Sequence, residues 1–105
     1  MDTTTDSLQY TPIASCCQVS NHISTYYVYY LKNAVGAAGN SIVRLTFSGG
    51  QFQDSVELTD APPADTYTNL SVTPGAGANH LFYMTISGDA DGQRTLYYYV
   101  DTLDS

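Results

Sequence analysis

Polar and apolar residues alternate along most of this chain in short runs separated by glycine, proline and asparagine. Between Ser41 and Phe47 the apolar side chains are Val43, Leu45 and Phe47, with Arg44 and Thr46 between them. A period of two is the signature of an extended strand, because successive side chains point to opposite faces. The same reading predicts strands over Leu8 to Tyr10, Ile13 to Val19, Thr25 to Leu31, Phe52 to Leu58, Asn69 to Thr73, Leu81 to Ser87 and Arg94 to Val100. Phe52, Val56 and Leu58 are in phase, and so are Leu96, Tyr98 and Val100. In Thr25 to Leu31 both phases are aromatic or aliphatic, so both faces of that strand are expected to be covered. Ser20-Asn21-His22, Ser48-Gly49-Gly50-Gln51, Pro74-Gly75-Ala76-Gly77 and Gly88-Asp89-Ala90-Asp91-Gly92 read as turns. Asn33 to Asn40 and Thr59 to Thr66 read as loops. Eight short strands and no helix result, an all-β single domain over residues 1–105.

Composition agrees. Ten tyrosines accompany abundant threonine, valine and serine, residues suited to a pleated, half-buried surface. Charged residues are 12% of the chain, and Lys plus Arg number 3 against 10 Asp plus Glu, for a net charge of −7. Three scattered cations cannot build a nucleic-acid groove, so no nucleic-acid partner is expected. No apolar run approaches the ~20 residues of a membrane-spanning helix. The N-terminal Met1-Asp2-Thr3-Thr4-Thr5-Asp6 carries neither a basic nor an apolar signal region, so a cytoplasmic location, or secretion without a visible signal peptide, is expected.

Candidate chemistry is sparse. Cys16 and Cys17 are adjacent and would point to opposite faces of a strand, reading as two reduced small hydrophobes. His22 and His80 each follow an asparagine ahead of a strand and read as turn residues, with no third ligand at metal spacing. Asp89-Ala90-Asp91-Gly92 resembles the start of a calcium loop, but the only glutamate, Glu57, is far away. No metal, no cofactor and no catalytic residue is assigned, and the chain is not expected to be an enzyme.

The two halves of the chain echo each other. Asn21-His22-Ile23 is matched by Asn79-His80-Leu81, Arg44-Leu45-Thr46-Phe47 by Arg94-Thr95-Leu96-Tyr97, and Asp6-Ser7-Leu8-Gln9 by Asp54-Ser55-Val56-Glu57. Two repeats, about 6–47 and 52–100, follow. A repeat of about 40–50 residues built of four strands is a β-propeller blade. Propellers have about 4–8 blades, so a two-blade chain must close as a homo-oligomer, with a trimer favoured. The alternative is an eight-stranded antiparallel β-sandwich. In Pro12 to Val19, Tyr26 to Leu31, Asn69 to Val72 and Leu81 to Ser87 the chain resembles the fucose-binding lectin propellers, whose shortest bacterial members are two-blade chains that trimerise. The resemblance implies fold and glycan partners. That family's sugar site uses an arginine on the second strand, a glutamate on the third and a tryptophan after the next turn. Here the second strand offers tyrosines, the third Arg44, and there is no tryptophan.

The expected function is therefore a carbohydrate-binding, lectin-like module, multivalent through oligomerisation. Tyr27, Tyr29, Arg44, Arg94 and Tyr97 are the ligand-binding candidates, rings for sugar faces and cations for hydroxyls. A structural or interaction sandwich, such as a virion or filament subunit, is the second reading, since low charge and Tyr-rich strands also suit an assembly surface.

Overall fold

The structure, a computed structural model, describes residues 13–33, 40–64, 68–86 and 94–103. Seven strands occupy them: β1 (Ile13–Ser20), β2 (Ile23–Asn33), β3 (Asn40–Ser48), β4 (Gln51–Glu57), β5 (Ser71–Gly75), β6 (Ala78–Ile86) and β7 (Arg94–Thr102). They form two antiparallel meanders, a four-stranded sheet in the order β1-β2-β3-β4 and a three-stranded sheet in the order β5-β6-β7. The fold is all-β and sandwich-like, with neither sheet closed on itself. The expected strand at Leu8 to Tyr10 and the turn at Gly88 to Gly92 lie outside the described residues.

The turns follow from local chemistry. Asn21 and His22 both adopt positive φ (52° and 65°), as do Gly49 and Gly50 (60° and 76°). Positive φ at both central residues is the type I′ geometry, whose twist matches that of the flanking strands. The third turn is tighter than the sequence suggests. Pro74 and Gly75 continue β5, opposite Asn79 and Ala78, and only Ala76 and Gly77 form the loop. Pro74 is tolerated because β5 is an edge strand, where a missing N–H need not break a ladder. Gly75 lies under the His80 imidazole: a Cβ there would come 2.5 Å from Nε2 of His80, so a side chain at this position would require that ring to move.

Two further expectations need correction. His80 is not a turn residue; it sits inside β6, paired with Thr73 and Val100, so the two Asn-His triplets are not structural equivalents. Phe52 does not share a face with Val56 and Leu58. The β3–β4 register shifts between Thr46 and Phe47, Thr46 facing Asp54 but Phe47 facing Phe52, so Gln53 is the extra residue of a bulge. A bulge flips the phase of everything beyond it, and Phe52 joins Phe47 on the opposite face, rings edge to face at 5.7 Å.

The core lies between the sheets. Tyr29, Leu31 and Ile42 from the first sheet meet Leu81 and Tyr83 from the second, all 2% exposed or less, with Leu58, Ala64 and Leu70 closing the periphery. Ladder register shows how the sheets are oriented. Aligned on their first two-residue turns, Ser20 and Ile23 correspond to Gly75 and Ala78. Strand direction and the hydrogen bonds of the pair flanking such a turn fix which way its side chains point. Tyr27 then corresponds to Phe82, Tyr29 to Met84 and, across the ladder, Arg44 to Leu96 and Thr46 to Tyr98. Tyr27, Tyr29 and Arg44 face the second sheet, whereas Phe82, Met84 and Leu96 face away from the first. The front of the first sheet therefore packs on the back of the second, a head-to-tail stack and not a sandwich of like faces. The Arg44 and Arg94 segments, matched by sequence, are offset by two residues in this frame.

Candidate functional site

The front of the first sheet and the back of the second enclose a polar chain that crosses the core. β2 carries Tyr29 opposite Arg44 of β3, and β6 carries Asn79 opposite Asp101 of β7. Across the seam the Tyr29 hydroxyl donates to Oδ2 of Asp101 at 2.6 Å, and Nδ2 of Asn79 donates to the Tyr29 oxygen at 2.8 Å. Arg44 Nη1 reaches both carboxylate oxygens of Asp101, at 2.8 and 2.9 Å. At the other end Nε2 of Gln18, on β1, lies 2.9 Å from Oδ1 of Asn79, 2.7 Å from the Gly75 carbonyl and 3.0 Å from that of Ala78. Five side chains from β1, β2, β3, β6 and β7 thus form one series of hydrogen bonds, Gln18–Asn79–Tyr29–Asp101–Arg44.

Its electrostatics are those of a satisfied interior. Tyr29 and Asn79 are fully buried and Asp101 is 4% exposed. Burial pushes the Tyr29 hydroxyl far above the ordinary phenol range, and its hydrogen bond to Asp101 pushes it further. Burial disfavours the charge on Arg44, but the bond and charge of Asp101 more than compensate and hold the guanidinium protonated. Arg44 Nε is buried without a partner, so the guanidinium is anchored through one terminal nitrogen alone. Cys16 faces the same seam opposite Tyr27, where burial, Cys17 and Asp101 all raise its thiol, which makes it a poor nucleophile. Both cysteines are free, on opposite faces of β1.

At the Gln18 end the seam opens into a cleft of about 770 Å³ between the β1–β2 and β5–β6 turns, lined by Gln18, Ser20, Tyr27, Gly77, Thr102 and Leu103. Leu103 N donates to the Gly77 carbonyl at 3.0 Å and fixes the rim. Burial raises the Tyr27 phenol, partly opposed by Arg44. The cleft thus offers one aromatic ring beside hydroxyl, amide and backbone groups, a set that can stack on an apolar ligand face and hydrogen-bond its edge.

The candidates named from sequence fall into separate places. Tyr29 and Arg44 come together, but on Asp101 inside the core. Tyr27 alone lines the cleft. Tyr97 faces the seam further along, its ring 5.7 Å from that of Tyr83. Arg94 begins β7 opposite Ile86, and its side chain lies outside the described structure. Gln18, Asn79 and Asp101 were missed. Each is a polar residue in phase with inward apolar neighbours: Gln18 with Ala14 and Cys16, Asn79 with Leu81, Asp101 with Tyr97 and Tyr99. Among the described residues no three His, Cys, Asp or Glu side chains are grouped to hold a metal ion, and no helix is long and apolar enough to cross a membrane. Compared with protein families, curated proteins and solved structures, this chain matches none.

Proposed function

We propose that this chain is a non-catalytic, carbohydrate-binding module of lectin type, made multivalent when two-blade chains assemble into a propeller-like ring. The observation that carries the binding half is the cleft at the Gln18 end of the seam, whose lining brings Tyr27 together with Gln18, Ser20 and Thr102. An aromatic face next to convergent hydrogen-bonding groups is the pairing that sugars require, apolar C–H faces and polar edges on one ligand. Glycans, fucosylated ones included, are the partners this chemistry suits. The head-to-tail order of the sheets supports the ring, because each sheet behaves as one blade and two blades leave an open stack. Three chains supply six blades, within the usual range of about 4–8. Three weak clefts on one ring would then act together, and avidity exceeds single-site affinity without new contacts.

A glycan array probed with wild-type protein and with Tyr27→Ala tests the binding half. Retention of a defined glycan set, weakened at least tenfold in the variant, is expected. Folded wild-type protein that retains no glycan overturns it. The filament-subunit reading draws on the same head-to-tail order, because a heterologous contact whose rotation does not close gives an open polymer. Light scattering separates the two, a discrete mass near three chains against species that lengthen with concentration.

A further inference from the structure

Each sheet has one face in the seam and one face bare, and the bare faces are unlike those of a self-contained sandwich. On the front of the second sheet Leu96 is 65% exposed and Tyr98 49%, with Phe82, Met84 and Val100 beside them. The Phe82 and Tyr98 rings are in contact at 5.0 Å, and His80 stacks on Tyr98 with Nδ1 2.6 Å from its hydroxyl. No described side chain on this face is charged. On the back of the first sheet Ile13, Tyr26 and Phe52 are more than half exposed, next to half-buried Val28, Leu45 and Phe47. An antiparallel sheet with one face in water alternates apolar-in with polar-out. Here each bare face keeps several large apolar side chains, the back of the first sheet carrying in addition the exposed Lys32–Glu57 ion pair at one end, and contiguous apolar patches of this kind mark interaction sites.

We infer that the two bare faces are the halves of one interface between copies of this chain, the front of the second sheet of one copy seating on the back of the first sheet of the next. The molecule already contains this contact once, as the packing of its own first-sheet front on its own second-sheet back. The inferred interface continues that stack in the same direction, so a bare front meets a bare back and never its own kind.

The substitutions between equivalent positions follow the same logic. The seam relay Gln18–Asn79–Tyr29–Asp101–Arg44 has Thr73, Ser24, Met84 and Leu96 as the counterparts of Gln18, Asn79, Tyr29 and Arg44 at the bare faces. The place of Asp101 falls one step beyond the last β2–β3 ladder pair, Thr25–Ser48, at Gly49 of the β3–β4 turn. Arginine and aspartate are lost together, so the second contact leaves no charge unpaired in its middle. The two contacts also cannot be interchanged. Placing Arg44 against the back of a first sheet, or Leu96 against Asp101, would bury a lone charge, which is strongly unfavourable. The inference deepens the assembly half of the proposed function and is independent of what the cleft binds.

The test uses Leu96→Lys on the front and Tyr26→Lys on the back, both at exposed positions, with circular dichroism to verify that each variant keeps the wild-type β spectrum. Light scattering is expected to give an oligomer for wild type, a monomer for each variant alone, and a one-to-one dimer when the variants are mixed. In the mixture the intact front of Tyr26→Lys meets the intact back of Leu96→Lys, and the other two faces are blocked. A wild-type monomer overturns the inference. So does a like-face contact, in which one variant alone still assembles and the mixture gains nothing. Should either variant lose its β spectrum, Val100→Lys and Phe52→Lys pose the same question from the same faces. Loss of glycan retention with an unchanged mass pattern would strike the binding reading and leave this one standing.

Discussion

Asp101 and Arg44 illustrate how a single buried pair governs a seam between two sheets. The Arg44 side chain is 15% exposed and that of Asp101 5%, and Asp101 also accepts from Tyr29. Removing one partner of such a pair leaves a buried charge unmatched, at a cost of roughly 3–5 kcal/mol. Asp101→Ala is expected to lower the thermal midpoint by more than ~10 °C in a domain of this size, or to unfold it. The double variant Arg44→Met with Asp101→Leu should recover much of that loss, since apolar replacement of both partners is often neutral. Thermal melts of the single and double variants decide it; a double variant no better than the single would show that the pair is not the source of the loss. The buried phenols set a second limit. Burial raises the hydroxyls of Tyr29, Tyr83, Tyr99 and Tyr27 above the ordinary value. Their folded values exceed an unfolded value of about 10, so the stability they confer is complete below that pH and falls as pH rises through it. Alkaline unfolding above about pH 10 is therefore expected, with tyrosinate absorbance lagging and then rising as circular dichroism is lost. Tyrosinate signal appearing smoothly with the β spectrum intact would contradict this.

Among the elements, the hairpins were legible because their determinants are local. Gly49-Gly50 and Asn21-His22 occupy the central positions of type I′ turns, where glycine and asparagine take positive φ at least cost. His22, at φ 65°, is the residue of the four least suited to that region. His22→Gly completes the Asn-Gly dipeptide that the turn favours, and a stabilisation of up to about 1 kcal/mol, a few degrees in midpoint, is expected. An unchanged or lowered midpoint would show that His22 makes a compensating contact. Where an element was misread, something outside its own sequence intervened. Phe52, Val56 and Leu58 are in phase with only Asp54 interrupting them, yet the Gln53 bulge sends Phe52 to the side of Phe47. The β3–β4 ladder decides that, and no periodicity within β4 announces it. His80 looks like a turn residue by analogy with His22, but Gly77, with φ 70°, already supplies the turn and frees Ala78 and Asn79 to begin β6.

The whole molecule is an open stack of two sheets, and its main energetic problem is the apolar surface left at each end. Tyr26, Phe52, Leu96 and Tyr98 remain about half exposed or more. Covering them by repetition of the internal contact needs no new kind of packing, and whether the rotation closes separates a discrete ring from a filament. The mixing experiment on Leu96 and Tyr26 belongs to this scale, because neither face alone reveals the direction of the stack.

The sequence by itself determined the all-β class, the approximate places of the strands within the described residues and the turns at Asn21-His22 and Gly49-Gly50. These rest on period-two alternation, β-branched and aromatic content, and glycine or asparagine where φ must be positive, all properties of a few neighbouring residues. Tertiary structure alone decided which face of each strand turns inward. In this chain both phases of β2 and β6 are largely apolar or aromatic, so alternation defines two faces without ranking them, and in β3 the phase that turns inward is the one carrying Arg44 and Thr46. It also decided that Tyr29 and Arg44 serve the core and not a ligand. Their partner Asp101 lies 72 and 57 residues away, respectively, and becomes their neighbour only when the first sheet's front meets the second sheet's back.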